Sequence, residues 1–268
     1  MQTWRKDSTM SNRMQQEFAH RDGNSQVRLN KYLSEAGVCS RREADRLIES
    51  GKVTVDGGTA VTGMKILPGQ DIRVQGQPLS REKEMVLLAV NKPVGVVCTT
   101  DKRWGDETVE EMLSYPKRVF PIGRLDKDSE GLLLVTNNGE ILNKIMRAGN
   151  YHEKEYEVTV DRPVTDAFLK RMAEGKIPVA GQFTRPCRVE KLGRDRFRII
   201  LTQGLNRQIR RMCEYCGCRV VKLKRVRIMN VRLGGLKPGK WRSLTDQEIE
   251  ELYEMMKGSS SDSRYKKR

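Results

Sequence analysis

At 268 residues the chain can hold one large domain or two smaller ones, each with a proper core. Its 51 Lys and Arg against 35 Asp and Glu leave a formal charge of +16, which points to a polyanionic partner, nucleic acid or an acidic membrane surface. No apolar run approaches the roughly 20 residues of a membrane span, the N-terminal MQTWRKDSTMSNRMQQEF lacks a signal-peptide apolar core, and scattered cysteines without a secretion signal read as reduced thiols, so a cytoplasmic protein is expected.

Residues 1–24 are polar and aperiodic and read as a disordered leader, as does the basic tail GSSSDSRYKKR at 258–268. Order begins at VRLNKYLSEAGVCSRREADRLIESGKVTVDG. Leu29, Tyr32, Leu33 and Ala36 fall at helical spacing, and Gly37 stops that helix. Ser40 and Glu43 form a capping box for a second helix, with Ala44, Leu47 and Ile48 on one face and Gly51 as its stop. KVTVDGG reads as a strand entering a hairpin, with KILPGQDIRV as its return. These elements make a small unit at 25–80, an αα-hairpin followed by a β element. The polar sides of its helices display Arg28, Lys31, Arg41, Arg42 and Arg46. Taken singly, each of those cations is equally a solvated helix residue with an i,i+4 partner.

A charged linker, REKE at 81–84, opens a second unit at 81–257. MVLLAVNKPVGVVCTT reads as two strands around a Lys-Pro turn. RVFPIGRLDKDSEG is a loop, LLLVTN a strand and Asn-Gly a turn. EILNKIMRAG is a helix turning Ile141, Leu142 and Ile145 inward. EKEYEVTVD is a strand, TDAFLKRMAEG a helix capped by Thr165, FRIILTQG another strand, and NRQIRRMCEYCG a helix ending at Gly217. VVKLKRVRIMNVRLGG gives strands, and LTDQEIEELYEMM a last helix with a capping box of Thr245 and Glu248. Strands and helices mix without a regular βαβ order, so the expected class is α+β with a mostly antiparallel sheet.

Nearly all the positive excess lies between Arg185 and Arg242, where only Glu190, Asp195 and Glu214 oppose it. No GxxxxGK[ST] loop and no strand-linked GxGxxG is present, which excludes the usual phosphate cradles of nucleotide enzymes. His20 falls in the leader, so a His triad or His-rich metal site would rest on His152 alone, and His152 reads as a turn residue. CEYCGC could offer zinc ligands, but Cys213 and Cys216 fall inside a helix, and a fourth ligand would have to come from Cys187 or His152. Cysteines such as these and Cys218 pack readily in cores, and no metal is expected. That leaves the carboxylates. Asp126 and Asp128 stand between a Gly-Arg turn and a strand: either both are ordinary loop residues, or one does chemistry on what the charge attracts. A working carboxylate among phosphates needs a cation beside it. Arg207, Arg210 and Arg211, sharing helix faces at i,i+3 and i,i+4, can supply one; the same helix serves equally as a phosphate-facing surface.

RLNKYL…SRREADRLIESGKVTVDG is similar to the core of the S4 RNA-binding domain over about 50 residues, which implies that the basic hairpin meets RNA and reads its shape. GRLDKDSEGLLLVTNNG resembles the GRLD motif of the RsuA and RluB/E/F branch of pseudouridine synthases. EKEYEV resembles that family's second motif and LTQGLNRQIRRMC its third, in the family's order behind an S4 unit, across residues 26–256. RVFPIGRLDKDS, MRAGN, HEKEY and QGLNRQIRRMCE are most similar to the F-type members, which act on 23S rRNA.

The resemblance implies a catalytic domain with flanking helices around a central cleft, and an isomerase (an intramolecular transferase) that converts a uridine within RNA to pseudouridine. No cofactor or metal is implied, because bonds are only redistributed. Asp126 is implied to be the reacting carboxylate, either a nucleophile at C1′ or a base at the 2′ proton; Asp128 is left as a turn residue. The target base must leave its stack. Arg124 is implied to fill the vacated space, Tyr156 to stack on the flipped uracil, and Arg210 to pair with Asp126; read without the resemblance, Arg124 is equally a phosphate contact and Tyr156 equally a core residue of its strand. Ile209 and Leu125 wall the pocket; Arg207 and Arg211 face RNA, and Lys154 is either a structural or an RNA-phosphate-facing residue. The implied partner is a 23S rRNA stem-loop, with a tRNA stem-loop as a second substrate, and neither DNA nor a membrane; a monomer is expected. Two rival readings are a non-catalytic RNA-binding or ribosome-assembly factor that keeps the fold, and a translation regulator using the S4 unit alone. The presence of Asp126, Tyr156 and Arg210 weighs against the first, and the long second domain against the other.

Overall fold

The computed structural model describes residues 26–79, 85–99 and 105–259; the expected leader, the REKE linker and most of the tail lie outside them. The chain divides between Met85 and Val86 into two compact units.

The first unit runs β1 (Val27–Arg28), α1 (Leu29–Glu35), α2 (Arg41–Glu49), β2 (Val53–Val55), β3 (Gly58–Thr59), β4 (Lys65–Ile66), β5 (Ile72–Val74) and β6 (Gln77–Pro78). Ser40 starts α2 by accepting the Glu43 N–H on its hydroxyl at 3.2 Å, which satisfies one of the orphan donors of a helix start. The apolar helix faces carry Leu29, Leu33, Ala44 and Ile48 into one core with Val53, Val55, Ile66 and Ile72. The hairpin differs from the expected one. Asp56 (φ 50) and Gly57 (φ 81) take left-handed conformations, so β2 turns back at once into β3. The stretch read as the return instead gives β4, which pairs with β1, and β5, which flanks β2 on its other side.

The second unit contains β7 (Leu87–Lys92), α3 (Val109–Leu113), β8 (Phe120–Ile122), β9 (Glu130–Thr136), α4 (Gly139–Met146), β10 (Lys154–Val160), α5 (Asp166–Glu174), β11 (Pro178–Val179), β12 (Gln182–Phe183), β13 (Arg188–Lys191), β14 (Arg196–Leu201), α6 (Gln208–Tyr215), β15 (Val220–Ile228), β16 (Val231–Arg232), β17 (Trp241–Ser243) and α7 (Asp246–Met256). Its main sheet has the order β13-β14-β10-β15-β9-β7-β17, with β8 added on β9 and β16 on β15. The architecture is therefore the expected mix of helices and a mostly antiparallel sheet. The parallel exception is β9 against β15, joined by the register pairs Glu130–Lys224 and Gly131–Arg225.

Two expectations fail here for local reasons. The second strand after the Lys-Pro turn reduces to a single bridge between Val97 and Thr108. Lys92 draws the chain inward instead, donating from Nζ to the carbonyls of Pro93 and Val96 at 2.8 Å each. The stretch RVFPI, read as loop, forms β8 on β9; Pro121 lacks the donor a central strand needs, so its signal is weak and its place is at the margin of a ladder.

Side chains alternate across each strand, and this places the site. One face of β10 carries Lys154, Tyr156, Val158 and Val160. Val158 and Val160 join Phe197, Ile199, Met172, Met212 and Cys213 in a core under α5 and α6, against which Tyr156 packs. A separate core of Val86, Leu88, Val90, Leu133 and Val135 lies on the β7–β9 side of the sheet. On the other face of β10, Glu155 takes Arg227 at 2.7 Å and Arg198 at 3.2 Å. A row of paired residues crosses the sheet: Lys92 with Gly131, Gly131 with Arg225, Arg225 with Tyr156 and Tyr156 with Ile199. Gly131 is required in that row. Its φ is +106, and a Cβ there would sit 2.8 Å from the Arg225 backbone nitrogen and closer still to its carbonyl oxygen.

Candidate active site

The loop between β8 and β9 opens at Gly123 (φ +81), whose missing side chain leaves room for the Met146 thioether. Leu125 is buried and anchors the loop. The Ser129 N–H donates to the Asp126 carbonyl at 3.0 Å, and the Gly95 N–H to the Lys127 carbonyl at 2.8 Å. The turn shaped by Lys92 therefore braces the loop from behind. Asp126 ends half-buried, with a third of its side chain open, while Arg124 and Asp128 are exposed.

Helix α6 supplies the cations. Its N-cap, Arg207, takes a left-handed conformation (φ 50, ψ 37), a strained state for a side chain of this size and one that clusters at functional positions. Its guanidinium lies 3.6 Å from the Asp126 carboxylate and donates to both oxygens of Asp128 at 3.4 and 3.2 Å. Arg210 does not meet Asp126 as expected. It is buried, donates to the Asp128 carbonyl at 2.8 Å and the Ser129 hydroxyl at 3.2 Å, and pairs with the Asp128 carboxylate at 3.2 Å. Three residues along the helix from Arg207, its side chain reaches the far end of the loop and leaves Asp126 to its neighbour. Asp128 is accordingly more than a turn residue. Partial burial would raise its carboxyl pKa, but the Arg207 hydrogen bond and the charges of Arg210 and Arg207 together hold it below the usual carboxylate range.

These elements enclose a cavity of about 230 Å³ whose wall includes Asp126, Lys154, Tyr156, Ile209, Gln203 and Arg225. Leu125, Arg124 and Arg207 also border it. Lys154 is buried, and burial, helped by the charge of Arg225, pushes its ammonium down to about 8. Arg211 stays on the helix flank, donating to Asn206 at 3.0 Å. Arg225, Lys92 and Gln203 were not singled out from the sequence. Arg225 sits in the stretch LKRVRI, where a register shift opposite Glu155 and Tyr156 sends Arg225 to the site and Arg227, two residues on, to Glu155 on the other face; Lys92 precedes the Pro that disrupts the strand pattern, and both look like ordinary surface cations.

Of the other expected residues, Arg28, Arg41, Arg42 and Arg46 are exposed on the first unit, and Lys31 makes an i,i+4 pair with Glu35 at 3.7 Å. His152 is buried, its Nε2 3.0 Å from the Ser259 hydroxyl. Cys213 and Cys218 are buried core residues; among the described residues no cluster of His, Cys, Asp or Glu could hold a metal ion. Among the described residues no helix is long and apolar enough to cross a membrane.

Comparison with known proteins adds an independent line. Residues 27–72 match the S4 domain model, and residues 86–215 match the RNA pseudouridylate synthase model. The chain is 54% identical over 240 residues to the dual-specificity RNA pseudouridine synthase RluF of Escherichia coli strain K12, covering 89% of this chain and 82% of that protein. It is 36% identical over 233 residues to the ribosomal large subunit pseudouridine synthase B of Bacillus subtilis, covering 84% and 95% of the two chains. A crystal structure of a pseudouridylate synthase superposes with a TM-score of 0.63 at 31% identity, covering 84% of this chain and 99% of that one.

Proposed function

Because the chain belongs to the RNA pseudouridine synthases and is an isomerase acting on uridine within RNA, we propose that Asp126 is its reacting carboxylate and that the flipped base occupies the cavity beside it. The observation that carries this reading is the convergence of Asp126, Tyr156 and two buried cations on one cavity wall. A target uridine leaves its stack, Tyr156 packs on the uracil, and Arg124, exposed at the cavity edge, enters the space left in the RNA. Arg207 holds the Asp126 carboxylate, a task the family resemblance had assigned to Arg210; Arg210 acts through the loop backbone as a positioning residue. Leu125 and Ile209 close the apolar side.

The carboxylate then works at the ribose, either by attacking C1′ as the N1 bond breaks or by removing the 2′ proton to give a glycal. Uracil turns in place, C5 bonds to C1′, the C5 proton is lost and N1 gains one. Arg211 and the cations of the S4 unit hold phosphates, whereas Lys154, buried in the cavity wall, is a structural group there. The dual specificity in the name of the E. coli relative and the large-subunit target in that of the Bacillus relative support a stem-loop of 23S rRNA as substrate, with a tRNA stem-loop as a second. The enzyme acts in the cytoplasm as a single chain. Tritium release from RNA labelled at uridine C5 tests the reaction; mapping pseudouridines in rRNA and tRNA with and without the gene tests the targets.

A further inference from the structure

Arg225 is the most unusual cation of the second unit. Only 3% of it is exposed, and its Nε donates to the Leu132 carbonyl at 2.7 Å, which fixes the plane of the guanidinium. Its Nη2 is buried and has no hydrogen-bond partner among the described residues, although the side chain borders the cavity that holds Asp126 and Tyr156. A buried charged donor without an acceptor is costly, and perturbed or orphaned polar groups in a cleft mark function. The backbone is fitted to keep it there: Gly131 has no side chain so that β15 can pass at Arg225.

We propose that Arg225 is a catalytic residue that donates from Nη2 to a ring carbonyl of the flipped uracil and stabilises the charge that uracil acquires. The proposal rests on the reading of the cavity as the base pocket. The guanidinium carbon lies over the Tyr156 ring, 5.9 Å from its centre, and both side chains line the cavity that a base stacked on Tyr156 would enter. A phosphate is the poorer occupant, since it stays hydrated at the surface while this donor is enclosed. Chemistry gives the contact a purpose. Both routes open to Asp126 break the C1′–N1 bond with the electron pair leaving on uracil, so an anion forms whose charge is shared among N1, O2 and O4. That anion lasts until C5 bonds to C1′; the neutral adduct then loses its C5 proton as N1 gains one. A fixed donor aimed at one carbonyl binds the anion better than neutral uracil, which is how a preorganised group lowers a barrier.

The test couples a protein change to a single substrate atom. Stem-loop RNA is made with uridine, 2-thiouridine or 4-thiouridine at the target, and single-turnover rates are measured for the wild type and Arg225→Gln. The variant slows uridine conversion by about 10² to 10³-fold, as loss of an oxyanion-type donor does, while RNA affinity changes little. Sulfur is a weak acceptor, so one of the two thio substitutions slows the wild type by about tenfold or more and the variant by less than about twofold, the non-additivity of a direct contact. A purely structural role for Arg225 slows all three RNAs alike, and equal thio effects in both enzymes overturn the proposal. If Arg225→Gln does not fold by its melting curve, Arg225→Lys, which keeps the charge but cannot reach both Leu132 and the base, carries the same comparison. Failure of the wild type to convert uridine at all would instead sink the pocket reading beneath it.

Discussion

The guanidinium of Arg207 lies 3.6 Å from Asp126 and 3.2 Å from Asp128, so one side chain on the lip of α6 serves both carboxylates of the catalytic loop. The two acids differ in what else they touch. Asp128 is also held by Arg210, whereas Asp126 turns toward the cavity.

That difference sets the first expectation. Asp126→Asn abolishes pseudouridine formation, a loss on the order of 10³-fold or more as for other essential reacting groups. It leaves RNA affinity within about fivefold, because a partly exposed ion pair contributes only about 0–1 kcal/mol. Asp128→Asn keeps a carbonyl for Arg207 and the whole backbone contact to Arg210, and costs less than about tenfold, since the ion pairs of an exposed carboxylate are also of this weak class. Tritium release and filter binding on the two variants check both; equal losses would mean that the reacting acid is misassigned.

Arg207 and Arg210 should separate activity from stability. Arg207→Ala removes the partner of Asp126 from an exposed position and lowers turnover with a Tm change of only a few degrees. Arg210→Ala strands buried acceptors at Asp128, Ser129 and Val220, at about 1–3 kcal/mol for the strongest of them. Its Tm falls by roughly 5–10 °C at about 2–4 °C per kcal/mol. Melting curves beside single-turnover rates distinguish the two patterns.

Lys154 gives a pH signature. Its folded pKa, about 8, lies below the ordinary lysine value of 10.5, so the unfolded chain binds this proton more tightly. The penalty is therefore fully present below about pH 8 and fades as pH rises toward 10.5, where both states lose the proton. At neutral pH it amounts to roughly 3 kcal/mol at 1.36 kcal/mol per pKa unit. Lys154→Met is more stable than the wild type at pH 7, and the gap closes between pH 8 and pH 10. Denaturant midpoints of both proteins across that range check the sign; a gap that widens with pH contradicts it.

Gly131→Ala strikes the backbone crossing. A left-handed φ costs a non-glycine residue about 1–3 kcal/mol, and here the new methyl also meets the Arg225 backbone. A Tm loss of about 5–15 °C follows at about 2–4 °C per kcal/mol, with activity falling further than stability because Arg225 shifts with it. Differential scanning calorimetry and rates at 20 °C below the variant's own Tm measure the two parts.

Much of this could be read from the chain because its signals are local. Thr165 and Thr245 accept the backbone N–H groups three residues on, at Phe168 and Glu248, so caps marked those helices in advance. EKEYEVTVD likewise reads as a strand, and it forms β10. What stayed hidden depends on partners distant in sequence. Nothing near Arg225 announces that Leu132 and Gly131 will lie beside it, and nothing near Arg210 says that its reach ends at Asp128. Strand β8 was missed because Pro121 erased its pattern, and Lys92 because an ammonium buried by tertiary packing has the same local spelling as an exposed one.

The parallel junction of β9 with β15, only two register pairs long, is the shortest along the main strand order, and a separate apolar core lies on each side of it. Asp126 is delivered from one side, and Tyr156, Arg225 and α6 from the other. A fluctuation that unzips this junction could leave both cores folded, yet it would dismantle the catalytic constellation completely. Turnover would then decay on warming or in mild denaturant before bulk secondary structure does, in the manner of sub-global opening, and catalysis would act as the molecule's own gauge of whether its two halves are latched.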